Sequence, residues 1–355
     1  MRSLMVGVAL AATVGLAAAQ QTPAEKTAGQ VFKNIQVFKG KPANELYPTM
    51  DFIAGSLGVH CSFCHMPDKS SDAKPTKRRA RQMVEMVYAI NKSTFGGRNE
   101  VNCYTCHRGS PHPDGRLSVA SLVNTASPGS AGKISGEGRM EAGARPKLPS
   151  AQQILDKYLA AIGGASALQA VHSERVQAEQ TRFGRKSAVT LTRSAGKLLV
   201  VNGKNKSGYD GSVYWSAGRR GVSRNPESNT ITQLRSELPL YPAAGLDAAK
   251  ARVFTKQTVN GHKAYVVGVR TANGFDSYDF DATTGLLLRY NTGVPTFLGE
   301  LPLQVNYSDY RTVDGVKLPF AMVFANQESH WERTVTAVKL NPAVDAASFQ
   351  APSAP

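Results

Sequence analysis

The sequence predicts an α + β chain of two domains, a mainly helical one followed by a large antiparallel β domain, and three observations predict it. All four cysteines fall between Cys61 and Cys106, among segments whose apolar residues recur at helical spacing. Residues 110–150 carry Pro111, Pro113, Pro128, Pro146 and Pro149 among many Gly, Ser and Ala, a composition that builds no core. From Ser150 onward one helix gives way to short β-branched or aromatic runs separated by turn signals. The expected organisation is therefore residues 20–110, a linker over 111–149, and a β domain over 150–355.

Ahead of these, Met1-Arg2, an apolar stretch from Leu4 to Leu16 and Ala17-Ala18-Ala19 form the basic start, apolar core and small-residue cleavage site of a signal peptide over residues 1–19. The alternative is an uncleaved anchor, for which the stretch is short. Export to the periplasm follows, with membrane association through a partner. No cysteine follows the apolar run to take a lipid. No internal apolar run is long enough to span a bilayer, which excludes a multi-span membrane protein.

In the helical region, Leu46, Met50, Ile53 and Leu57 form one stripe after the start signal Pro48-Thr49. A second stripe, Ala80, Met83, Val84, Val87 and Asn91, follows a basic turn of Lys77, Arg78, Arg79 and Arg81. In the β domain a helix is expected over about Ala151 to Ile162, stopped by Gly163-Gly164. Strand signals follow at Ala188–Thr192, Lys197–Val201, Ala264–Arg270 and Thr334–Leu340. Hairpin signals stand at Asn260-Gly261 and Asp314-Gly315, with a turn at Thr284-Gly285. Eight or more strands at such spacing predict a curved antiparallel sheet or open barrel.

The chemistry sits in the cysteines. Cys61-Ser62-Phe63-Cys64-His65 and Cys103-Tyr104-Thr105-Cys106-His107 are both C-x-x-C-H, the attachment pattern of c-type haem. Two thiols three positions apart each add to one haem vinyl group, and the adjacent His65 or His107 supplies the proximal nitrogen to iron. A four-cysteine zinc site and a pair of disulfides are the competing readings, and each leaves both histidines unexplained. The expected cofactors are two covalently bound haem c groups.

What fills the distal face separates electron transfer from peroxide chemistry. Met50 lies 11 residues before Cys61 and Met83 lies 20 before Cys103, each on an apolar helical stripe, and these are the expected sulfur ligands. Met86, about 60° round the wheel from Met83, is the alternative there. Met66 follows His65 and belongs on the proximal side; His60 and His112 are weaker distal candidates. His172, His262 and His330 are read as structural.

Forty-two basic against 26 acidic residues give a formal net charge of +16, which suggests an anionic partner. No zinc-finger, homeodomain or RRM signature accompanies it, so nucleic acid is not expected. Lys74, Lys77, Arg78, Arg79 and Arg81 are the cations that would steer an acidic redox partner.

The stretch Ser56-Leu57-Gly58-Val59-His60-Cys61-Ser62-Phe63-Cys64-His65 resembles a haem segment of the photosynthetic reaction centre cytochrome c subunit family. So do Ala80-Arg81-Gln82-Met83-Val84-Glu85-Met86, Ala89-Ile90-Asn91 and Val101-Asn102-Cys103-Tyr104-Thr105-Cys106-His107-Arg108-Gly109. The resemblance covers roughly residues 30 to 110. It implies an electron carrier rather than an enzyme, Met50 and Met83 as axial ligands from helices preceding each motif, and redox partner proteins that include a membrane or reaction-centre complex. The well-known subunit carries four haems, often a lipid-anchored cysteine, and no β domain; this chain departs from it on each count.

The second half is similar to the lipoprotein-carrier type of half-open β-barrel. The carrying phrases are Ile154-Leu155-Asp156-Lys157-Tyr158 with Gly163-Gly164, Asp281-Ala282-Thr283-Thr284-Gly285-Leu286-Leu287, Tyr307-Ser308-Asp309-Tyr310 and Asp314-Gly315-Val316-Lys317-Leu318-Pro319. That likeness implies a sheltered apolar ligand, with a docking or spacer module as the other reading of the domain. Two other functions compete with electron transfer: a dihaem peroxidase with one open iron, and a lipid-binding protein in which haem is a sensor.

Overall fold

The structure is a computed structural model that describes residues 26–113 and 148–353, except 220, 240, 272–273 and 327–329. The expected leader and most of the expected linker lie outside the described residues.

The N-terminal part is helical: α1 (Ala28–Val31), α2 (Leu46–Leu57), α3 (Pro75–Thr94) and α4 (Cys103–His107). α2 begins at Leu46, ahead of the Pro48-Thr49 signal, so that Pro48 occupies the first turn, where its missing N–H has no intrahelical partner. It ends at Gly58, whose left-handed φ of 66° lets its N–H reach back to Ala54 and Gly55. α3 opens with Pro75 at its first position and keeps Val84, Val87 and Asn91 buried. In α4, Asn102 and Thr105 form a reciprocal capping box.

The second part is one antiparallel sheet of thirteen strands: β1 (Ser173–Arg182), β2 (Arg185–Ser194), β3 (Lys197–Asn202), β4 (Asn205–Tyr209), β5 (Tyr214–Gly218), β6 (Gly221–Arg224), β7 (Arg252–Val259), β8 (His262–Thr271), β9 (Gly274–Asp281), β10 (Leu287–Thr296), β11 (Gly299–Val313), β12 (Val316–Ala325) and β13 (His330–Leu340). Their order is β6-β5-β4-β3-β2-β1-β13-β12-β11-β10-β9-β8-β7. Two meanders are thus joined where the first strand pairs the last, Glu174 against Leu340 through Arg182 against Trp331. The sheet is open, with β6 and β7 as its edges.

The hairpin signals sit where the sequence places them: Asn260-Gly261 turns β7 into β8 and Asp314-Gly315 turns β11 into β12, all four with positive φ. Phe183-Gly184 and Ala195-Gly196 make comparable left-handed turns without the Asn or Asp that would have announced them.

Among the described residues three helices accompany the sheet, not one. α5 (Ala151–Ala161) is the expected helix, capped by Ser150 with Gln153. α6 (Gly164–Gln169) continues past the glycines, and α7 (Ser228–Glu237) lies between β6 and β7. Its polar sequence masks its period. Ile154, Leu155 and Tyr158 of α5, with Ile162 just past its end, pack against Phe280, Tyr307, Phe324 and Trp331 of the sheet, each such burial contributing about 1.5–3 kcal/mol.

Candidate haem sites

The first motif turns through a 3₁₀ segment, Cys61–Phe63, directly after α2. Its Cys61 carbonyl accepts from the Cys64 and His65 N–H groups, and the start of α3 serves the next two: Lys74 donates to the Ser62 carbonyl and Thr76 Oγ1 donates to that of Phe63 at 2.7 Å. Lys77, buried, donates to the carbonyls of Lys69 (2.9 Å), Ser70 (3.2 Å) and Ser71 (2.9 Å) and pairs with Asp72. Arg78 donates to the Asp72 carbonyl at 2.8 Å, and Arg81 pairs with the Asp72 carboxylate at 3.0 Å. Hydrogen bonds from Arg81 first, then Asn34 and Lys77, hold that carboxyl well below the usual range. Four of the five cations expected to steer a partner are therefore committed to ordering the attachment loop. Thr76 escaped sequence reasoning because its partner is a main-chain carbonyl, and Asp72 because its cationic partners lie on α3, outside its own loop.

Met50, Cys61, Cys64 and His65 line one cavity of about 360 Å³. The rest of its wall is mostly apolar, with Leu46, Ile53 and Leu57 from α2 and Ala80 and Val84 from α3. Burial lowers the pKa of His65 and the neighbouring Lys77, Lys69 and Arg81 lower it further, against a backbone hydrogen bond at Lys69. The imidazole is thereby kept neutral, the form that ligates metal. Burial raises the Cys64 thiol, opposed by Thr76 and Lys74. Two thiols and an imidazole at one side of an apolar cavity, with a thioether in its wall, fit a covalently held porphyrin. His60 also lines this cavity, while Met66 is exposed.

The second motif is α4 itself. His107 Nδ1 lies 2.9 Å from the Ser110 carbonyl. A carbonyl only accepts, so Nδ1 carries a proton, which leaves Nε2 as the ring nitrogen that could face a metal. Cys103 is buried, its thiol pushed up to about 11 by desolvation, whereas Cys106 is exposed. The chain entering the motif is held by Asn91, 2% exposed, whose side chain accepts from the Val101 N–H (3.0 Å) and donates to the Val101 carbonyl (2.7 Å). Asn91 reads in the sequence as one member of a stripe, and only the fold reveals this fork. We expect Asn91→Leu to leave both Val101 groups unpaired and to cost about 1–3 kcal/mol per buried group, measured by denaturant unfolding.

The two motifs adjoin. Gly109, two residues past His107, donates to the Ser56 carbonyl at 2.9 Å, and a Cβ on Gly58 would run into the Gly109 carbonyl. α3 runs alongside both: Lys77, Ala80, Arg81 and Val84 line the first cavity, and Met83, turned about 100° from Val84, does not. Met83 is half-buried and Met86 is 42% exposed. The structure thus gathers Met50 with the first motif but does not bring Met83 into that cavity. All four thiols are free, and no three His, Cys, Asp or Glu side chains cluster for a metal among the described residues, so the four-cysteine zinc arrangement is not assembled. His112, His172, His262 and His330 are exposed, with His262 paired to Asp281 at 2.9 Å.

The family model described as photosynthetic reaction centre cytochrome C subunit matches residues 7–192, more than half of the chain. The chain belongs to this family. Its members are c-type cytochromes, and covalently bound haem c comes with membership. Among curated relatives, the photosynthetic reaction center cytochrome c subunit of Thermochromatium tepidum is 36% identical over 91 residues, 24% of this chain and 22% of that protein. That of Rubrivivax gelatinosus is 34% identical over 92 residues, 24% and 25% respectively. Cytochrome c-554 of Chloroflexus aurantiacus is 33% identical over 87 residues, 22% of this chain and 21% of the relative. The matched stretch is therefore at most a quarter of the length of these three relatives. Among solved structures, a DUF1329 family protein from Desulfovibrio piger is similar at a TM-score of 0.41 and 13% identity, covering 57% of this chain and 98% of that one. A LolA superfamily protein from Nitrosomonas europaea has a TM-score of 0.39 at 11% identity, with coverage of 57% and 98%.

No helix among the described residues is long and apolar enough to cross a membrane. Between α7 and the sheet, the cavity lined by Glu174, Arg193, Glu237, Tyr307, Phe324 and Arg333 measures about 70 Å³. A drug-sized apolar ligand needs about 300 Å³ or more.

Proposed function

We propose that this protein is an exported dihaem c-type cytochrome that relays single electrons, with a half-open β-barrel as its second domain. The observation that carries the reading is the grouping of Met50, Cys61, Cys64 and His65 around one apolar cavity, alongside a second C-x-x-C-H motif in α4. Haem iron, when bound, exchanges one electron at a time between its ferric and ferrous forms. The chain's part is positional. Cys61 with Cys64, and Cys103 with Cys106, tie each macrocycle to the backbone; His65 and His107 offer imidazole nitrogens; Met50 and Met83 are the sulfur ligands of the two sites. A thioether donates less strongly than imidazole and so favours the reduced state. The apolar wall around the first site keeps water away from it, and the adjoining motifs suit transfer within the chain. Partners in this reading are redox proteins, among them a membrane electron-transfer or reaction-centre complex, met outside the cytoplasm.

Met50→His tests the assignment in a redox titration followed by absorbance. One haem is expected to lose its thioether–iron signature and fall in potential while the other holds its value. Unchanged spectra and potentials for both would show that Met50 is not a ligand.

A further inference from the structure

The core of the haem region is not built from that region alone. Of the eleven buried residues in its apolar cluster, four come from the far end of the β10–β11 hairpin: Val294, Phe297, Leu298 and Leu301. They pack with Phe38, Leu46, Phe52, Val84, Val87 and Cys103, and the half-buried Met50, Ile53 and Leu57 lie against the same cluster. Leu298 is fully buried, and the Phe297 ring sits 5.3 Å from that of Phe38. Nearly 200 residues of chain separate this hairpin from the second motif.

The hairpin tip also makes directed contacts. The Phe297 N–H donates to Thr49 Oγ1 at 3.2 Å, and Thr49, fully buried, donates the same hydroxyl to the Glu45 carbonyl at 2.8 Å. On its other side, Asn99 donates to the Phe297 carbonyl at 3.4 Å. Gly299 carries a φ of 153°, and a Cβ there would come within 3.0 Å of the Phe52 ring and 3.3 Å of Asn102. The tip keeps its own shape through Thr296, whose hydroxyl donates to the Gly299 carbonyl at 2.8 Å and accepts from the Leu298 N–H. One turn of the sheet is thus wedged between the residue preceding Met50 and the residue preceding Cys103.

We propose that the β10–β11 tip is a positioning element of the first haem site, with Thr49 and Phe297 as positioning residues that fix the axial and rotational setting of α2 and therefore the reach of the Met50 sulfur. The β domain is then a constituent of the cytochrome's redox centre, not a separate module appended to it. This rests on Met50 being the sulfur ligand. A helix of twelve residues has few contacts of its own to resist sliding by a fraction of an ångström, and a buried hydrogen bond plus an aromatic wedge supply that resistance.

The test uses the full-length, haem-loaded protein with Thr49→Val, which keeps the side-chain shape but removes the hydroxyl, and with Phe297→Ala. Thr49→Ser, which keeps the hydroxyl, serves as the rescue. Thr49→Val and Phe297→Ala are expected to weaken the thioether–iron charge-transfer band and lower the potential of one haem only. They are also expected to raise amide exchange across residues 50–57 by roughly five- to tenfold, the factor one lost hydrogen bond gives. Thr49→Ser is expected to match the parent. Met50→His run in parallel separates the two ways to fail. Should it shift one haem while Thr49→Val and Phe297→Ala shift neither spectrum nor exchange, the positioning role is overturned and the ligand assignment stands. Should Met50→His itself change nothing, the ligand assignment falls and the positioning role falls with it. Should Phe297→Ala not fold, Thr49→Val decides alone.

Discussion

Protein carrying Cys61→Ala with Cys64→Ala is expected to hold one covalent haem per chain where the parent holds two, and Cys103→Ala with Cys106→Ala is expected to do the same. Each pair is the complete thiol complement of its motif, and the chain contains no other cysteine to substitute. The two pairs also occupy different surroundings. Cys61 and Cys64 line the α2–α3 cavity, while Cys103 is buried against Phe52, Val84 and Val87 with Cys106 exposed. Loss at one site therefore leaves the other site's walls in place. Pyridine haemochrome quantification against protein, with intact mass, reads the outcome. Two haems retained in either variant would remove that motif from the assignment, and a single haem in the parent would do so as well.

Arg333→Met is expected to destabilise the sheet by about 3–5 kcal/mol, with haem content unchanged. Arg333 on β13 is 2% exposed and Glu237 at the end of α7 is 5% exposed, and the two pair at 3.0 Å. The guanidinium also donates to Gln180 Oε1 at 2.9 Å and lies 4.8 Å from the Phe324 ring centroid. Beside them, Arg193 pairs with the buried Glu174 and donates to the Glu237 carbonyl at 2.6 Å, so α7 is tied to β1, β2 and β13 through this group. Removing the arginine alone strands the Glu237 carboxylate in a dry setting, where the cost of an uncompensated charge exceeds the worth of the pair. Adding Glu237→Leu to Arg333→Met is expected to recover much of the loss, because the pair then leaves no unpaired buried charge, and Arg193 and Glu174 keep each other. Denaturant unfolding of the single and double variants measures both. A single variant within about 0.5 kcal/mol of the parent would show that the pair is solvated, and the argument from burial would fail.

Both expectations combine what was legible along the chain with what was not. The C-x-x-C-H motifs, the Gly163-Gly164 stop and the Asn260-Gly261 and Asp314-Gly315 turns were readable because their chemistry is completed within a few residues. The place of Met50 beside the first motif was readable for a related reason: the stripe Leu46, Met50, Ile53, Leu57 belongs to one helix that ends just before that motif. The stripe through Met83 was less informative, because Val84 and Met83 lie on different flanks of α3 and only Val84 lines the first cavity. The basic run from Lys74 to Arg81 looked like a surface for a partner, yet four of its five cations are spent on carbonyls of residues 62–72 or on the Asp72 carboxylate. Nothing local marks a carbonyl as lacking a partner.

By itself the sequence determined the two C-x-x-C-H motifs, the helical and β halves, and the hairpins at Asn260-Gly261 and Asp314-Gly315, since short-range spacing and turn conformation decide all of these. Tertiary structure alone decided that β1 pairs with β13, that Arg333 meets Glu237, and that Phe297 reaches Thr49 across 248 residues of chain. Those contacts are selected by burial and by the need to pair every buried polar group, conditions set by the whole fold and carried by no local pattern.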